Sequence, residues 1–310
     1  MCISICIPIF NHDSTNLVRV LVKQCSSASI EYEILVIDDC SQLFREENRK
    51  IAGIPGVKYF EQDKNLGRAA VRNLLAQKAQ YDWLLFLDCD AILLDDAFVV
   101  RYVKEIDESK ADVVIGGYRY SDKKPSDSTL YLRWLYGKRR EERNIETRNQ
   151  RSHCSFSSFN FMAKKSVFDK VNFDESLRKY GHEDTLFGWL LKHNGFKVIH
   201  IDNPARQVDL DSTDVYLRKL HDAAENLWTI YKNVDDPMDF VKDVKVLRCF
   251  EWLRKNHLLK LVYWTLRLIK PLILRNLESN SPKIFFLDLY KLERLCFVSS
   301  EDLEAGRNKN

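Results

Sequence analysis

Glycine and proline are scarce, 10 and 7 in 310 residues, which excludes collagen-like and low-complexity architectures. The eight cysteines, spread from Cys2 to Cys296, contain no Cys-x-x-Cys pair. Free thiols in a reducing compartment are therefore expected, not a disulfide framework or a zinc site. No uncharged apolar run reaches about 18 residues, so no membrane span is expected. No secretory leader is expected either. Met1–Phe10 is apolar, but it lacks a basic start and a small-residue cleavage site, and Pro8 and Asn11 close it. Neither sign of charge dominates: 48 Lys/Arg less 45 Asp/Glu leaves +3, too balanced to argue for a nucleic-acid partner, and none is expected.

What is present points to a globular chain. Hydrophobic residues make up 45% and aromatics 12%, enough for a large core and too much for a disordered chain. The length suits one large α/β domain with or without an appendage. Charge is unevenly placed. Residues 245–300 hold 11 Lys/Arg against 4 Asp/Glu, a net +7, while residues 1–244 sum to −3.

The first half alternates strand and helix signals. Ile3–Phe10, Glu33–Ile37, Gly56–Phe60, Trp83–Leu87 and Asp112–Gly116 read as short buried strands. Asn16–Gln24, Arg68–Ala79 and Asp95–Ile106 read as helices between them, the last with acidic residues in its first turn. Repeated βα units imply a doubly wound, mostly parallel sheet, whose ligands bind beyond the carboxyl ends of the strands. Residues 121–150 break the pattern. Asp184–His193 reads as a helix closed by Asn194-Gly195, Phe196–Ile201 as a strand, and Asp214–Tyr231 as an amphipathic helix. The last third reads as helices Asp239–Asn256, Leu258–Leu277 and Pro282–Leu295, with Ser281-Pro282 as cap and first-turn proline. Trp189, Trp228, Trp252 and Trp264 fall in helical patterns and are expected in the core.

Acid gathers at the strand ends. Asp88-Cys89-Asp90 follows the apolar run Trp83–Leu87, and carboxylates at i and i+2 can share a hard divalent cation that also holds phosphates. Alone, the pattern serves equally as a solvated turn. Asp38-Asp39 ends an earlier strand in the same way. Asn65-Leu66-Gly67-Arg68 opens a helix that places Arg68 and Arg72 one turn apart, a setting suited to pyrophosphate or to an ordinary capped helix. Gly181-His182-Glu183-Asp184 puts two carboxylates at a helix start, where they can act as a general base or simply as a cap.

These segments, with Pro8-Ile9-Phe10-Asn11 before them, occur in an order that resembles the inverting family 2 glycosyltransferases of the GT-A fold, from about Ile3 to about Tyr231. The resemblance implies a GT-A type doubly wound sheet followed by a C-terminal helical region. It implies a nucleoside pocket lined by Pro8, Phe10, Asn11 and Asp39, supported by Asp38. Gly67, Arg68 and Arg72 lie near the nucleotide, and Asp88 contacts ribose or sugar. Asp90, with Asp88, ligates Mn²⁺ or Mg²⁺. Asp184 is the general base and Glu183 orients the acceptor. One departure concerns the metal. Where the family often has a histidine ligand after Asn203-Pro204, this chain has Gln207, with Asp209 as a substitute.

The implied activity is metal-dependent transfer of a hexosyl or N-acetylhexosaminyl group, with inversion, from a nucleotide-sugar donor such as a UDP-sugar to a glycan or lipid-linked acceptor. The expected domains are 1–233, with a donor half to about 117 and an acceptor half from 118, and a basic helical region 234–310. Two alternatives stay open: a non-catalytic nucleotide-sugar-binding protein and a sugar nucleotidyltransferase. The latter lacks its glycine-rich loop in Asn11-His12-Asp13-Ser14. A cytoplasmic location is expected. Leu258–Leu277 either lies peripherally on an anionic membrane, on its cytoplasmic face, or packs as an ordinary hairpin.

Overall fold

The computed structural model describes residues 2–307. In chain order its main elements are β1 (Cys2–Ile9), α1 (Thr15–Ser27), β2 (Glu31–Asp38), α2 (Arg45–Arg49), β3 (Val57–Glu61), α3 (Arg68–Lys78), β4 (Trp83–Leu87), β5 (Ala91–Leu93), α4 (Phe98–Glu108), β6 (Val113–Ile115), β7 (Tyr118–Arg119), α5 (Tyr131–Tyr136), α6 (Ile145–Asn149), β8 (Asn160–Lys164), α7 (Glu183–His193), β9 (Val198–His200), β10 (Ala205–Gln207), α8 (Thr213–Asn233), α9 (Pro237–Asp243), α10 (Lys245–Lys255), α11 (Leu259–Leu277) and α12 (Ile284–Arg307).

Contacts divide the chain into two compact units. The first joins residues 1–121, 140–178 and 184–209; the second joins 122–139, 179–183 and 210–310. Residue 233, the boundary expected from sequence, falls inside the second unit.

The first unit is built on a seven-stranded sheet of order β3-β2-β1-β4-β8-β6-β9. β1 runs parallel to β2 on one side and β4 on the other. β8 runs antiparallel between β4 and β6, so the sheet is mixed but mostly parallel. The register sets Ile9 opposite Asp38 and Cys6 opposite Phe86. The segments after β1, β2 and β4 therefore emerge at one edge, which is where the sequence concentrates its acid. Buried residues alternate between the two faces, as the pleat requires. Ile5, Ile7, Val36 and Leu85 pack with Leu21, Phe98 and Tyr102. Leu35, Ile37, Leu84 and Phe86 pack on the other face with Leu75, Phe161 and Phe187. Each such side chain contributes about 1.5–3 kcal/mol through its removal from water. A second, three-stranded sheet has the order β5-β10-β7.

The second unit is helical. α8 buries Leu217, Leu220 and Leu227. It is tied to α12 by Lys232–Asp302 at 3.0 Å and to α10 by Tyr231 Oη donating to Glu251 at 2.7 Å. α12 buries Leu287 and Leu295, and α11 buries Leu266, Ile273 and Leu277.

Several sequence expectations are corrected. The fourth helix starts at Phe98, not Asp95, and has no acid in its first turn; Asp95 instead accepts from Ala97 N and grips Arg101. The expected helix 239–256 is two helices broken at Val244, which is extended. Pro282 stands two residues before α12, which runs well past Leu295. Trp189 is buried, but Trp252 and Trp264 face solvent.

Candidate active site

The loop after β1 is held by backbone recognition. Asn11 has a left-handed φ of 53°, which asparagine tolerates better than most residues. Its N donates to Ser41 Oγ at 2.8 Å, and its Oδ1 accepts from the amides of Gln42 (2.7 Å) and Leu43 (3.1 Å). Pro8 lies in β1 opposite Ile37, and the Phe10 ring is exposed. Asp38, fully buried at the end of β2, accepts from Ser41 N at 2.7 Å and Tyr59 Oη at 3.0 Å. Burial first, and the Asp38 carboxylate second, push the Tyr59 phenol up.

Asp39 grips the next helix. Its two carboxylate oxygens accept from Leu66 N at 2.6 Å and Gly67 N at 2.9 Å, and its carbonyl accepts from Asn65 Nδ2 at 3.1 Å. Gly67, at φ 90°, turns the chain into α3, a conformation a Cβ would strain. That turn sets Arg68 and Arg72 on successive turns. Arg72 is buried; its Nη2 donates to Asp88 Oδ1 at 2.7 Å, and its guanidinium lies 5.5 Å from the Phe173 ring centroid.

Asp90 is the electrostatic centre. Its carboxyl is pushed up to about 7, by burial first, then by Asp88, then by Asp209, with Arg68 acting in the opposite direction. The three-stranded sheet supplies the facing residue. β10 pairs antiparallel with β5 so that Gln207 stands opposite Ala91, and its Nε2 donates to Asp90 Oδ2. Two residues on, Asp209 Oδ2 meets His12 Nε2 at 3.1 Å.

Asp88 and Asp90 offer carboxylate oxygens, the donor type that a hard divalent cation takes. Burial first, then the Asp88 and Asp209 charges, push the Asp90 carboxyl up, and the Gln207 side chain meets it through Nε2. Oxygen ligands of this kind suit Mg²⁺ or Mn²⁺. Among the described residues no group of three or more His, Cys, Asp or Glu side chains is placed to hold a metal ion.

Asp184 sits in the first turn of α7, where its Oδ1 accepts from Thr185 N at 2.8 Å. Its neighbourhood is aromatic. The Tyr118 phenol is held well up by burial, then by Glu141 and Tyr120, with Asp184 adding to the effect, and it accepts from Ser157 Oγ at 2.7 Å. Glu183 is buried; it precedes Asp184 in the chain and is grouped with the second unit, whereas Asp184 is grouped with the first.

The structure thus gathers Arg68, Arg72, Asp88, Asp90, Gln207 and Asp209 at one locus, and ties Asn11, Asp38, Asp39 and Gly67 into the adjoining loops. Sequence reasoning missed Tyr118, Ser157 and His12. The signal for Tyr118 is the preceding Gly116-Gly117. A Cβ on Gly116 would meet Asn203 O at 2.3 Å, and Gly117 has φ 95°, so only glycine lets β7 turn there. His153 and His200 are structural: His153 Nε2 pairs with Phe196 O at 2.8 Å, and His200 bridges Arg148 and the Ser152 carbonyl.

The sequence model of the family described as Glycosyl transferase family 2 matches residues 4–171, more than half of the chain. The chain belongs to that family. Among family relatives, the chondroitin synthase of Escherichia coli is 28% identical over 227 residues, which is 62% of this chain and 32% of that one. The glycosyltransferase GlyG of Streptococcus pneumoniae serotype 4 (strain ATCC BAA-334 / TIGR4) is 26% identical over 210 residues, 61% of this chain and 65% of that one. This chain spans about a third or less of the synthases it matches. The mannosyltransferase PcManGT of Pyrobaculum calidifontis, solved with GDP-Man and Mn²⁺, has a TM-score of 0.58 at 12% identity, covering 96% of this chain and 85% of that one. TarS 1–349 of S. aureus, solved with UDP-GlcNAc, gives 0.52 at 14% identity, covering 98% and 92%. The structural likenesses establish the GT-A-like fold.

Proposed function

We propose that the chain transfers a hexosyl or N-acetylhexosaminyl group from a nucleoside diphosphate sugar to a hydroxyl of a glycan or lipid-linked acceptor, with inversion. The carrying observation is the burial of Asp90 at a strand end beside the Asp88 and Asp209 charges, which in that order push its carboxyl up. Such a locus is relieved by a divalent cation, and family membership makes the nucleotide-sugar donor the natural bearer of the accompanying phosphates. The donors bound by TarS and PcManGT support a nucleotide sugar, UDP-linked in the first instance.

In this reading Asn11, Asp38 and Asp39 shape the base pocket beside Pro8 and Phe10. Asp39 has each oxygen on a backbone amide, so its carboxylate is held in one position beside that pocket. Gly67, Arg68 and Arg72 approach the diphosphate, and Arg72 also orients Asp88 toward ribose or sugar. Asp90 and Asp88, with Gln207 or Asp209, would hold Mg²⁺ or Mn²⁺, which supplies Lewis-acid stabilisation of the charge on the departing diphosphate. Asp184 accepts the proton of the acceptor hydroxyl as its oxygen attacks the anomeric carbon in line, and the bond from that carbon to the diphosphate breaks. Glu183 orients the acceptor.

A screen of nucleotide sugars, following nucleoside diphosphate release with Mn²⁺, with Mg²⁺ and with chelator, tests this reading. Metal-dependent release from one donor, stimulated by acceptor, is expected. Tight donor binding without release under any condition would replace the enzyme with a nucleotide-sugar-binding protein.

A further inference from the structure

α11 is apolar on two sides. The inner side buries Leu266, Ile273 and Leu277. The outer side carries Leu261, Trp264, Leu268 and Leu272, exposed by 66, 61, 81 and 64%. At helical spacing these four fall within an arc of about 80° and along about 16 Å of one stripe. Single exposed apolar side chains are ordinary, but large ones on successive turns of one face mark a surface that is covered in use. Trp252 on α10 and Phe285 at the start of α12 are further exposed aromatics of the same unit.

Charge identifies the cover. Between Trp252 and Phe285 the chain has seven Lys/Arg (254, 255, 260, 267, 270, 275 and 283) against one acid, Glu278. Lys260 and Arg267 follow one flank of the stripe, and Arg275 lies within its arc beyond Leu272, all exposed. The Arg267 guanidinium lies 5.4 Å from the Trp264 ring centroid, which keeps a cation beside the most amphipathic side chain of the stripe. We infer that this face docks peripherally on an anionic lipid surface. Leucine and tryptophan enter the acyl boundary while lysine and arginine meet lipid phosphates. A second copy offering the same face would set cation against cation. Spanning is excluded for this helix: among the described residues none is long and apolar enough to cross a membrane.

The test is flotation of the full chain at low salt with vesicles of phosphatidylcholine alone and of phosphatidylcholine with about a third phosphatidylglycerol. The chain is expected to float with the anionic vesicles only. The combined change Trp264→Ser, Leu268→Ser and Leu272→Ser lowers partition ~100-fold or more. The combined change Lys260→Gln, Arg267→Gln and Arg275→Gln lowers it by ~10-fold or more at low salt, and high salt removes that difference. All six side chains lie on the helix's solvent side, so both variants keep the parent's thermal melting curve. Failure of the full chain to float with anionic vesicles overturns the inference, as does equal flotation with neutral ones. A dimer in sedimentation velocity that the apolar variant dissociates would assign the stripe to a second copy instead. None of these readouts depends on sugar transfer.

Discussion

Two strands of the first unit end in acid, and the two ends do different work. At the end of β2, Asp38 and Asp39 are consumed by structure: between them they accept from Ser41 N, Tyr59 Oη, Leu66 N and Gly67 N. At the end of β4, Asp90 is pushed up to about 7, by its burial first and then by the Asp88 and Asp209 charges beside it. The same residue type after the same kind of strand is satisfied in one place and frustrated in the other. In the proposed reading the frustrated end is where the cation and diphosphate bind, and the satisfied end is the frame around them.

The contrast can be broken most severely at Asp90. Asp90→Asn is expected to lower metal-dependent transfer on the order of 10³-fold, comparable with losing a principal electrostatic stabiliser. The melting temperature stays level or rises, because a repulsive carboxylate has gone. A destabilised variant would mean that the Gln207 contact, not the crowding, dominates there. Asp184→Asn comes next: kcat falls at least ~10²-fold while donor affinity, measured calorimetrically, is retained. A change confined to KM would remove the base assignment.

Asp39→Ala tests the satisfied end. Two amides lose a charged acceptor, and urea unfolding should show a loss of about 2 kcal/mol, with weaker nucleoside diphosphate binding. Unchanged stability would show that the turn at Gly67 holds itself. The smallest effect concerns His200, a titratable group outside both acid ends. Burial, then the nearby Arg148 charge against the favourable Ser152 carbonyl, leaves it lowered to about 4. Its Nε2–H donates to the Ser152 carbonyl, and its Nδ1 accepts from Arg148. The folded state thus resists a proton that the unfolded chain takes near 6.5. Its contribution is complete above about 6.5 and is lost as pH falls toward 4, about 1 kcal/mol by pH 5.5. His200→Gln should flatten that part of the stability profile in chemical denaturation at stepped pH.

Strands with continuous apolar sequence were legible. β1, β2 and β4 are buried on both faces, so composition alone marks them. β5, β7 and β10 were not, since two or three residues carry no period, and their pairing is decided by distant partners. β8 was not legible as a strand, because nothing local says that NFMAK inserts antiparallel between β4 and β6. The break at Val244 lacks any glycine or proline signal. The exposure of Trp252 and Trp264 depends on which side of each helix the neighbours cover. Of the candidate site, the order of acidic motifs was readable, but the division of labour between Asp39 and Asp90 was not. It comes from which backbone amides the fold brings within reach. Tyr118 and His12 acquire their partners only through tertiary contact.

The antiparallel pairing of β10 with β5 has a consequence for motion. Three residue pairs join β10 to β5 and two join it to β7, and ladders so short open at less cost than the eight-pair β1–β2 pairing. Gln207 rides on that ladder and Asp209 follows it two residues later, so one local opening withdraws both from Asp90 together. The amides of Ala205 to Gln207 should exchange with solvent deuterium far sooner than those of Ile5 to Ile7. Donor and cation, by bridging β4 to this segment, would slow that exchange before any product forms, turning a pair of three-residue strands into a record of occupancy.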